Sequence, residues 1–202
     1  IEIDLKKDKF IDDSFRKLHS SEAAFDLLMN MQKLQNVEAI KDVNQKYRDI
    51  LNRFNMEIES IYGIFIKEKD SPPITKNLPK TAGAIAWSRS LLQRIMRPWK
   101  KFQKVPELVI LSKTESVLNM SKKTDAKEKI FIEYERSLFK DWASTCELIS
   151  IEHLKSFIIK KKNNRIVCNF NPELSQIIEE TKYLDKLGFV VPEVALNVIL
   201  QS

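Results

Sequence analysis

The longest regular pattern in the chain runs from residue 40 to 65. There Ile40, Val43, Tyr47, Ile50, Phe54, Ile58, Ile61 and Phe65 recur with a mean step of about 3.6 residues, the α-helical period on one face. Glu38, Lys41, Lys46, Arg48, Asp49 and Arg53 fall mostly off that stripe, as a solvated face requires. Upstream, Phe15, Leu18, Phe25, Leu28, Met31 and Leu34 make a less regular stripe, which predicts a first helix from about 12 to 35 with Asn36 as its break. Two such neighbours joined by a short connection fold back on each other. Residues 12–70 are therefore expected to form a first helical hairpin.

The stretch Asp70-Ser-Pro-Pro-Ile-Thr-Lys-Asn-Leu-Pro-Lys-Thr81 carries three prolines and no helical period, so 71–81 reads as an irregular Pro-rich connector. Beyond it Leu91, Leu92, Ile95, Trp99 and Phe102 share one arc of a helix that begins around Thr81 to Gly83. Pro98 lies inside this pattern and removes the donor that would bond Arg94, which predicts a kink. Phe131, Tyr134, Leu138, Trp142, Thr145 and Ile149 predict a further helix from about 123 to 150, so 82–150 reads as a second helical pair kinked near Pro98. Trp87, Trp99 and Trp142 are expected as core anchors.

The period then changes. Leu154 to Ile159 and Arg165 to Phe170 are short apolar, β-branched runs separated by Lys160 to Asn164, and Asn163-Asn164 tolerates the positive φ of a tight turn, so 154–170 reads as a β-hairpin. C-terminal helices follow over 171–202. The first has Asn171 as N-cap, Pro172 at its first position, Glu173 in its first turn and an apolar series through Leu174, Ile177, Ile178, Thr181, Leu184 and Leu187, with Gly188 as the C-terminal cap. Pro192 opens the last, through Ala195 to Leu200. The expected class is mainly α: an elongated helical bundle of long amphipathic helices with one small β-hairpin.

Composition narrows the function classes. With 202 residues but only three glycines, the chain lacks material for a glycine-rich nucleotide loop, and no G-x-x-x-x-G-K-[ST] sequence occurs. Two cysteines and two histidines assemble no C-x-x-C or H-E-x-x-H pattern, and the thiols are expected to be reduced. No run approaches the ~20 apolar residues of a membrane span, so a water-soluble chain with no membrane partner is expected. Cys168 reads as a packed small hydrophobe, Glu152 and His153 as neighbours that do not face each other, His19 as a surface group, and Glu179-Glu180 and Asp12-Asp13 as solvated or dipole-favoured carboxylates. Nothing in this set assembles an active site. The chain opens at Ile1 within a charged segment, which reads as an excerpt of a longer polypeptide.

Charge adds one feature. The total is 34 basic against 28 acidic residues, a formal +6, and the excess concentrates in Arg89 to Lys104, which holds Arg89, Arg94, Arg97, Lys100, Lys101 and Lys104 and no acid. At 100° per residue Arg94, Arg97, Lys101 and Lys104 share one face, roughly opposite Leu91, Ile95, Trp99 and Phe102, and are candidates for binding an acidic partner. Lys160, Lys161, Lys162 and Arg165 form a second basic cluster at the hairpin tip. Trp87, Trp99 and Phe102 lie on the apolar side, away from the cations, which weighs against a stacking platform for nucleic acid.

Four segments, in order, carry a resemblance. Asn77-Leu-Pro-Lys-Thr-Ala-Gly-Ala-Ile-Ala-Trp-Ser-Arg-Ser-Leu91 resembles the signature of the N-terminal tail of dynein heavy chains, in a form closer to the axonemal branch than the cytoplasmic one. Ala24-Phe-Asp-Leu-Leu28 resembles the family's first tail helix, and Tyr134-Glu-Arg with Trp142 its Y-E…W pattern. Asn169-Phe-Asn-Pro-Glu-Leu174, Lys182-Tyr-Leu-Asp-Lys-Leu-Gly188 and Pro192-Glu-Val-Ala-Leu-Asn197 resemble the stretch that closes the region. The positions that match the signature are Leu78, Pro79, Ala82, Gly83, Ala84, Trp87, Arg89, Asn169, Phe170, Pro172, Leu174, Tyr183, Leu184, Leu187 and Gly188; the chain departs from it at Lys80-Thr81, where the family usually has a second proline and a β-branched residue.

The resemblance implies a non-catalytic tail segment that scaffolds assembly. Its partners would be other dynein heavy chains, intermediate and light chains and the docking proteins of the axonemal doublet, in the cytoplasm, cytoskeleton and cilium axoneme. The parent would be a minus-end-directed microtubule motor ATPase whose ATP and magnesium belong to a distant motor domain, with no cofactor in this segment. A free-standing basic helical adaptor or nucleic-acid-binding module is the alternative.

Overall fold

The computed structural model describes residues 13–33, 43–104, 115–148, 159–162, 165–168 and 172–200. They are mainly helical. After a helical turn at 13–17 come α1 (Ser21–Lys33), α2 (Val43–Glu68), α3 (Lys80–Phe102), α4 (Glu115–Glu147), strands β1 (Ile159–Lys162) and β2 (Arg165–Cys168), then α5 (Pro172–Lys186) and α6 (Glu193–Leu200). The expectations resting on Leu34, Asn36, Ile40, Ile149, Leu154, Asn163-Asn164 and Asn169 to Asn171 lie outside the described residues.

The chain divides into two compact units, Ile1–Lys67 with Leu91–Lys129 and Glu68–Ser90 with Ile130–Ser202. The units are interleaved along the sequence, unlike the consecutive segments read from pattern alone, because α3 and α4 each contribute one half to each.

In the first unit the α2 stripe is the spine: Tyr47, Ile50, Leu51, Phe54, Ile58, Ile61 and Phe65 are all buried. α1 runs antiparallel to it, with Ser21 beside Glu57 and Gln32 beside Tyr47. The C-terminal half of α3 packs its apolar arc here: Phe54 stacks on Trp99 at 6.0 Å and meets Phe102 edge-on at 5.2 Å, while Phe25 lies 4.8 Å from Phe102. Such aromatic contacts add about 0.5–1.5 kcal/mol each beyond area burial. The first half of α4 runs parallel to α2, since Lys123 reaches Asn55 and Glu59 and Lys127 lies over the Tyr62 ring. The Lys123 ammonium beside Glu59 holds that carboxyl below its usual range.

Two expectations change. The helix read as 12–35 is two pieces, broken at residues 18–20, because the carbonyls of Phe15 and Leu18 turn to the Arg53 guanidinium and Ser20 becomes the cap of α1, its hydroxyl accepting from Ala23 N–H at 3.3 Å. The helix read from 123 begins at Glu115, since Val117, Met120 and Thr124 extend the buried face and the Thr124 hydroxyl is satisfied by Met120 C=O. α3 runs on through Pro98, as the pattern through Trp99 and Phe102 expects, and Gln103 N–H reaches Trp99 C=O at 3.1 Å beyond it.

In the second unit Ala82 and Ile85 of α3, Trp142 and Cys146 of α4, Ile177 and Leu184 of α5, and Val191 and Ala195 form one core. Phe189 stacks on Phe139 at 4.6 Å, and the Tyr134 hydroxyl donates to Lys69 C=O at 2.7 Å. α5 ends in a Schellman arrangement: Phe189 N–H bonds Leu184 C=O, Gly188 N–H bonds Asp185 C=O, and Gly188 has φ 86°, a value only glycine adopts freely. β1 and β2 pair antiparallel, Ile159 opposite Cys168 and Lys162 opposite Arg165. Lys160 to Lys162, read as part of the connection, are strand residues. Trp99 and Trp142 are buried, whereas Trp87 is only half-buried, so one of the three expected anchors is partly exposed.

The connector from Asp70 turns at Thr75–Leu78, closed by Leu78 N–H to Thr75 C=O, with Asn77 at φ 72° in the position such a turn requires. This brings the connector onto Gly83, where a Cβ would sit 2.5 Å from Ile74 Cγ2 and 3.3 Å from Leu78 Cβ. Gly83→Ala is expected to lower stability by about 1–2 kcal/mol, overpacking outweighing alanine's helix preference. In chemical denaturation the double variant Gly83→Ala with Ile74→Ala should lose clearly less than the sum of the two single losses.

Candidate functional site

The cationic face of α3 follows from its amphipathic register. Leu91, Ile95, Trp99 and Phe102 are buried, which turns Arg94, Arg97, Lys100 and Lys104 outward. The four candidates, Arg94, Arg97, Lys101 and Lys104, are not equivalent. Lys101 is half-buried and its Nζ lies 2.5 Å from Glu22 Oε1 and 3.1 Å from Asp26 Oδ2, both on α1, while Arg97 Nε lies 3.3 Å from the same Glu22 oxygen and stays 76% exposed. The hydrogen bond to Glu22, then that to Asp26, raises the Lys101 pKa against the effect of burial. The sequence reading missed these acids. Their signal is a matched spacing: Glu22 and Asp26 are four apart on α1, as Arg97 and Lys101 are on α3, which puts each pair on one helix face. Arg94 and Lys104 complete the open part of the stripe. In the second basic cluster Arg165 is exposed, and the side chains of Lys160 to Lys162 lie outside the described residues.

The signature residues build structure around a buried carboxylate. Glu180 on α5 is 2% exposed, and its two oxygens accept from Thr81 N–H at 2.6 Å and Ala82 N–H at 2.9 Å, the first free donors of α3. The reading of Glu179-Glu180 as a solvated pair is thereby corrected for Glu180. An anion at the positive end of a helix dipole, with both oxygens satisfied, overcomes the cost of burial. Arg89, one of the cations counted in the sequence run, is turned inward: Nε donates to Glu135 at 3.0 Å, an Nη donates to Leu187 C=O at 2.7 Å, and the guanidinium lies 5.3 Å from the Phe189 ring centre. It closes the carbonyl end of α5. Pro79, Ala82, Gly83, Ala84 and Leu184 are buried; Leu78, Trp87, Leu174, Tyr183 and Leu187 are half-buried; Gly188 is exposed at the α5 cap. Pro172 opens α5, and Asn169 and Phe170 lie outside the described residues.

Chemistry is sparse. Burial, then Glu180 and Glu147, pushes the Cys146 thiol up to about 11, far from a reactive thiolate. His19 is exposed, Cys168's side chain, Glu152 and His153 are outside the described residues, and among those described no three His, Cys, Asp or Glu side chains cluster as metal ligands. No helix among them is long and apolar enough to cross a membrane.

Glu180→Ala is expected to cost about 2–3 kcal/mol in denaturant titration, two charge-assisted bonds to helix donors being lost, with Glu180→Gln recovering roughly half through its remaining acceptor. Glu135 gives a pH signature. Burial raises its pKa above the ordinary 4.5, although Arg89 opposes the rise. The folded state therefore holds this proton more tightly, and the stability Glu135 contributes is present below 4.5 and lost as pH rises through the folded value. The stability of the wild type relative to Glu135→Gln should fall across that interval and stay level above it.

The sequence profile described as "Dynein heavy chain, N-terminal region 1" matches residues 2–202. The chain is 40% identical over 204 residues to the Dynein-1-alpha heavy chain of the flagellar inner arm I1 complex of Chlamydomonas reinhardtii, covering 96% of this chain and 4% of that one. It is 33% identical over 173 residues to human Dynein axonemal heavy chain 10, covering 79% and 4%, and 27% identical over 203 residues to the Dynein gamma chain of the Chlamydomonas flagellar outer arm, covering 100% and 4%. The chain thus spans about 4% of the length of these relatives.

Proposed function

The chain belongs to the dynein heavy chain family, in its N-terminal region 1, and from that premise we propose that it is a non-catalytic tail segment of an axonemal heavy chain. It serves as a helical scaffold on which other heavy chains and intermediate and light chains assemble, and through which the motor is anchored to the ciliary doublet. The parent polypeptide is a minus-end-directed microtubule motor ATPase acting in the axoneme, and its ATP and magnesium are bound far from this segment. The observation that carries the reading is the match over nearly the whole chain to inner-arm and outer-arm relatives alike.

The geometry supports a scaffold in a specific way. Buried charge here closes helix ends, and the outward charge of α3 is left for recognition. Exposed cations of this kind set partner choice and association rate more than affinity. Trp99 and Phe102 are buried beside Phe54, which leaves the α3 cations without the aromatic platform that single-stranded nucleic acid requires.

The informative substitutions are Arg94→Glu with Lys104→Glu, because reversing Arg97 or Lys101 would also break contacts with α1. In the intact heavy chain the double reversal is expected to weaken recovery of intermediate chains about tenfold at low salt, two exposed ion pairs being worth up to ~1 kcal/mol each, and the difference should vanish at high salt. Unchanged recovery would overturn the role of this face. Salt-dependent binding of wild-type chain to duplex DNA would favour the nucleic-acid alternative instead.

A further inference from the structure

Of the seven prolines in the chain, Pro72 alone follows a hydroxyl-bearing residue, in the sequence Asp70-Ser-Pro-Pro-Ile-Thr-Lys76 that opens the connector. α2 has ended at Glu68, no helix or strand includes residues 71–79, and Ser71 is exposed. Each of the two prolines fixes its own φ at about −65° and pushes the residue before it out of the helical region, so Ser71 is held in extended backbone.

A protein kinase takes its substrate as an extended strand with the acceptor hydroxyl free, which a serine inside a helix cannot offer. Among the described residues, Ser20, Ser71 and Thr75 are the serines and threonines outside helices. The Ser20 hydroxyl is engaged in capping α1, and Thr75 lies in the turn closed by Leu78 N–H, with a lysine after it. Ser71 differs from both. Its backbone N–H donates to Glu68 C=O at 3.0 Å, while its hydroxyl makes no hydrogen bond among the described residues. The residue that follows lacks an N–H, which is the feature a proline-directed kinase selects beside its acceptor.

The surroundings give a phosphate something to change. Lys69 Nζ lies 3.7 Å from Asp70 Oδ1, and the Lys69 carbonyl accepts from the Tyr134 hydroxyl. Between Lys67 and Lys76 three lysines face Glu68 and Asp70, a formal +1, and a phosphate of about −2 reverses that sign. It would stand just beyond the carbonyl end of α2, already the negative end of the helix dipole, with Glu68 and Asp70 beside it. The nearest lysine, Lys69, is shared with Asp70, so repulsion outweighs attraction.

We propose that Ser71 is a phosphorylation site for proline-directed serine/threonine protein kinases, and that its phosphate loosens the junction between α2 and the connector. ATP is the donor. The Ser71 oxygen forms a bond to the γ-phosphorus as the bond to ADP breaks, and the hydroxyl proton passes to the kinase's carboxylate base. The product weakens the Ser71 N–H to Glu68 C=O bond that closes the end of α2. This site is separate from the α3 stripe, and the inference does not depend on that stripe binding anything.

The intact heavy chain, purified with phosphatases blocked, should carry phosphate on Ser71 in a measurable fraction of molecules by mass spectrometry. After enzymatic dephosphorylation, a purified proline-directed kinase with ATP should restore it at a rate within about tenfold of that for a synthetic peptide of residues 67–76, because the folded chain already presents the segment. Pro72→Ala should slow labelling at least about tenfold in the chain and equally in the peptide, which has no fold to lose. Amide exchange at Ser71 should be about threefold faster in the phosphorylated chain at low salt, with the difference shrinking at high salt. The assignment is overturned if native material carries no phosphate there, if the folded chain is labelled only after unfolding, or if Pro72→Ala is labelled as fast as the wild type. Unchanged or slower exchange at Ser71 would overturn the loosening.

Discussion

A helix that ends inside a protein must find partners for donors and acceptors that its own turns leave free, and this constraint organises the chain. Local caps meet it in part, as Ser20 does for α1 and Gly188 for α5. Elsewhere a long charged side chain from a neighbouring helix reaches across. Glu57 of α2 accepts the backbone N–H and hydroxyl of Ser21, and Glu180 of α5 accepts the first free N–H groups of α3. Arg53 of α2 takes two carbonyls where the 13–17 turn ends, and Arg89 of α3 takes the Leu187 carbonyl just past the end of α5. Each compact unit thus holds one carboxylate at an N-terminus and one guanidinium at a C-terminus, the signs the helix dipole requires.

Such contacts do more than satisfy donors. Apolar burial is non-directional and tolerates sliding of one helix along another, whereas a carboxylate bonded to two successive backbone N–H groups fixes both helices in rotation and translation. In the second unit this explains why the 77–91 signature has the residues it does. Asn77 supplies the positive φ of the turn, Pro79 is buried at the entry to α3, Thr81 and Ala82 present donors to Glu180, Gly83 admits Ile74, and Arg89 closes α5 one helix away. The segment that carries the family resemblance is a device for locking a connector and two helices in one register.

The apolar stripes were legible because period is a local property. Every residue of the described α2 stripe except Val43 is buried, and the Gly188 cap stands where the sequence places it. The cross-helix caps were harder, because Glu180 and Glu179 look alike in a list of charges. A trace of them is nevertheless present. Glu180 lies three residues after Ile177 and four before Leu184; Glu57 stands likewise to Phe54 and Ile61; Glu135 and Arg89 follow Phe131 and Ile85 by four. A charge on the buried face of a helix is an instruction to look for a helix end, and reading it as solvated surface is what hid these contacts. The broken first helix was illegible for a different reason: its break is imposed by Arg53, 38 residues from Phe15.

The same distinction bears on how a basic chain recognises a partner. Of the α3 cations, Arg89 is spent on structure, Lys101 is held by Glu22 and Asp26, and Arg97 shares Glu22 while remaining largely open. An acidic surface brought to this face would meet a stripe whose middle is already paired, so the net gain per contact would be that of an exposed ion pair, screened at physiological salt. Electrostatics on such a face would select and accelerate binding more than it would hold a partner.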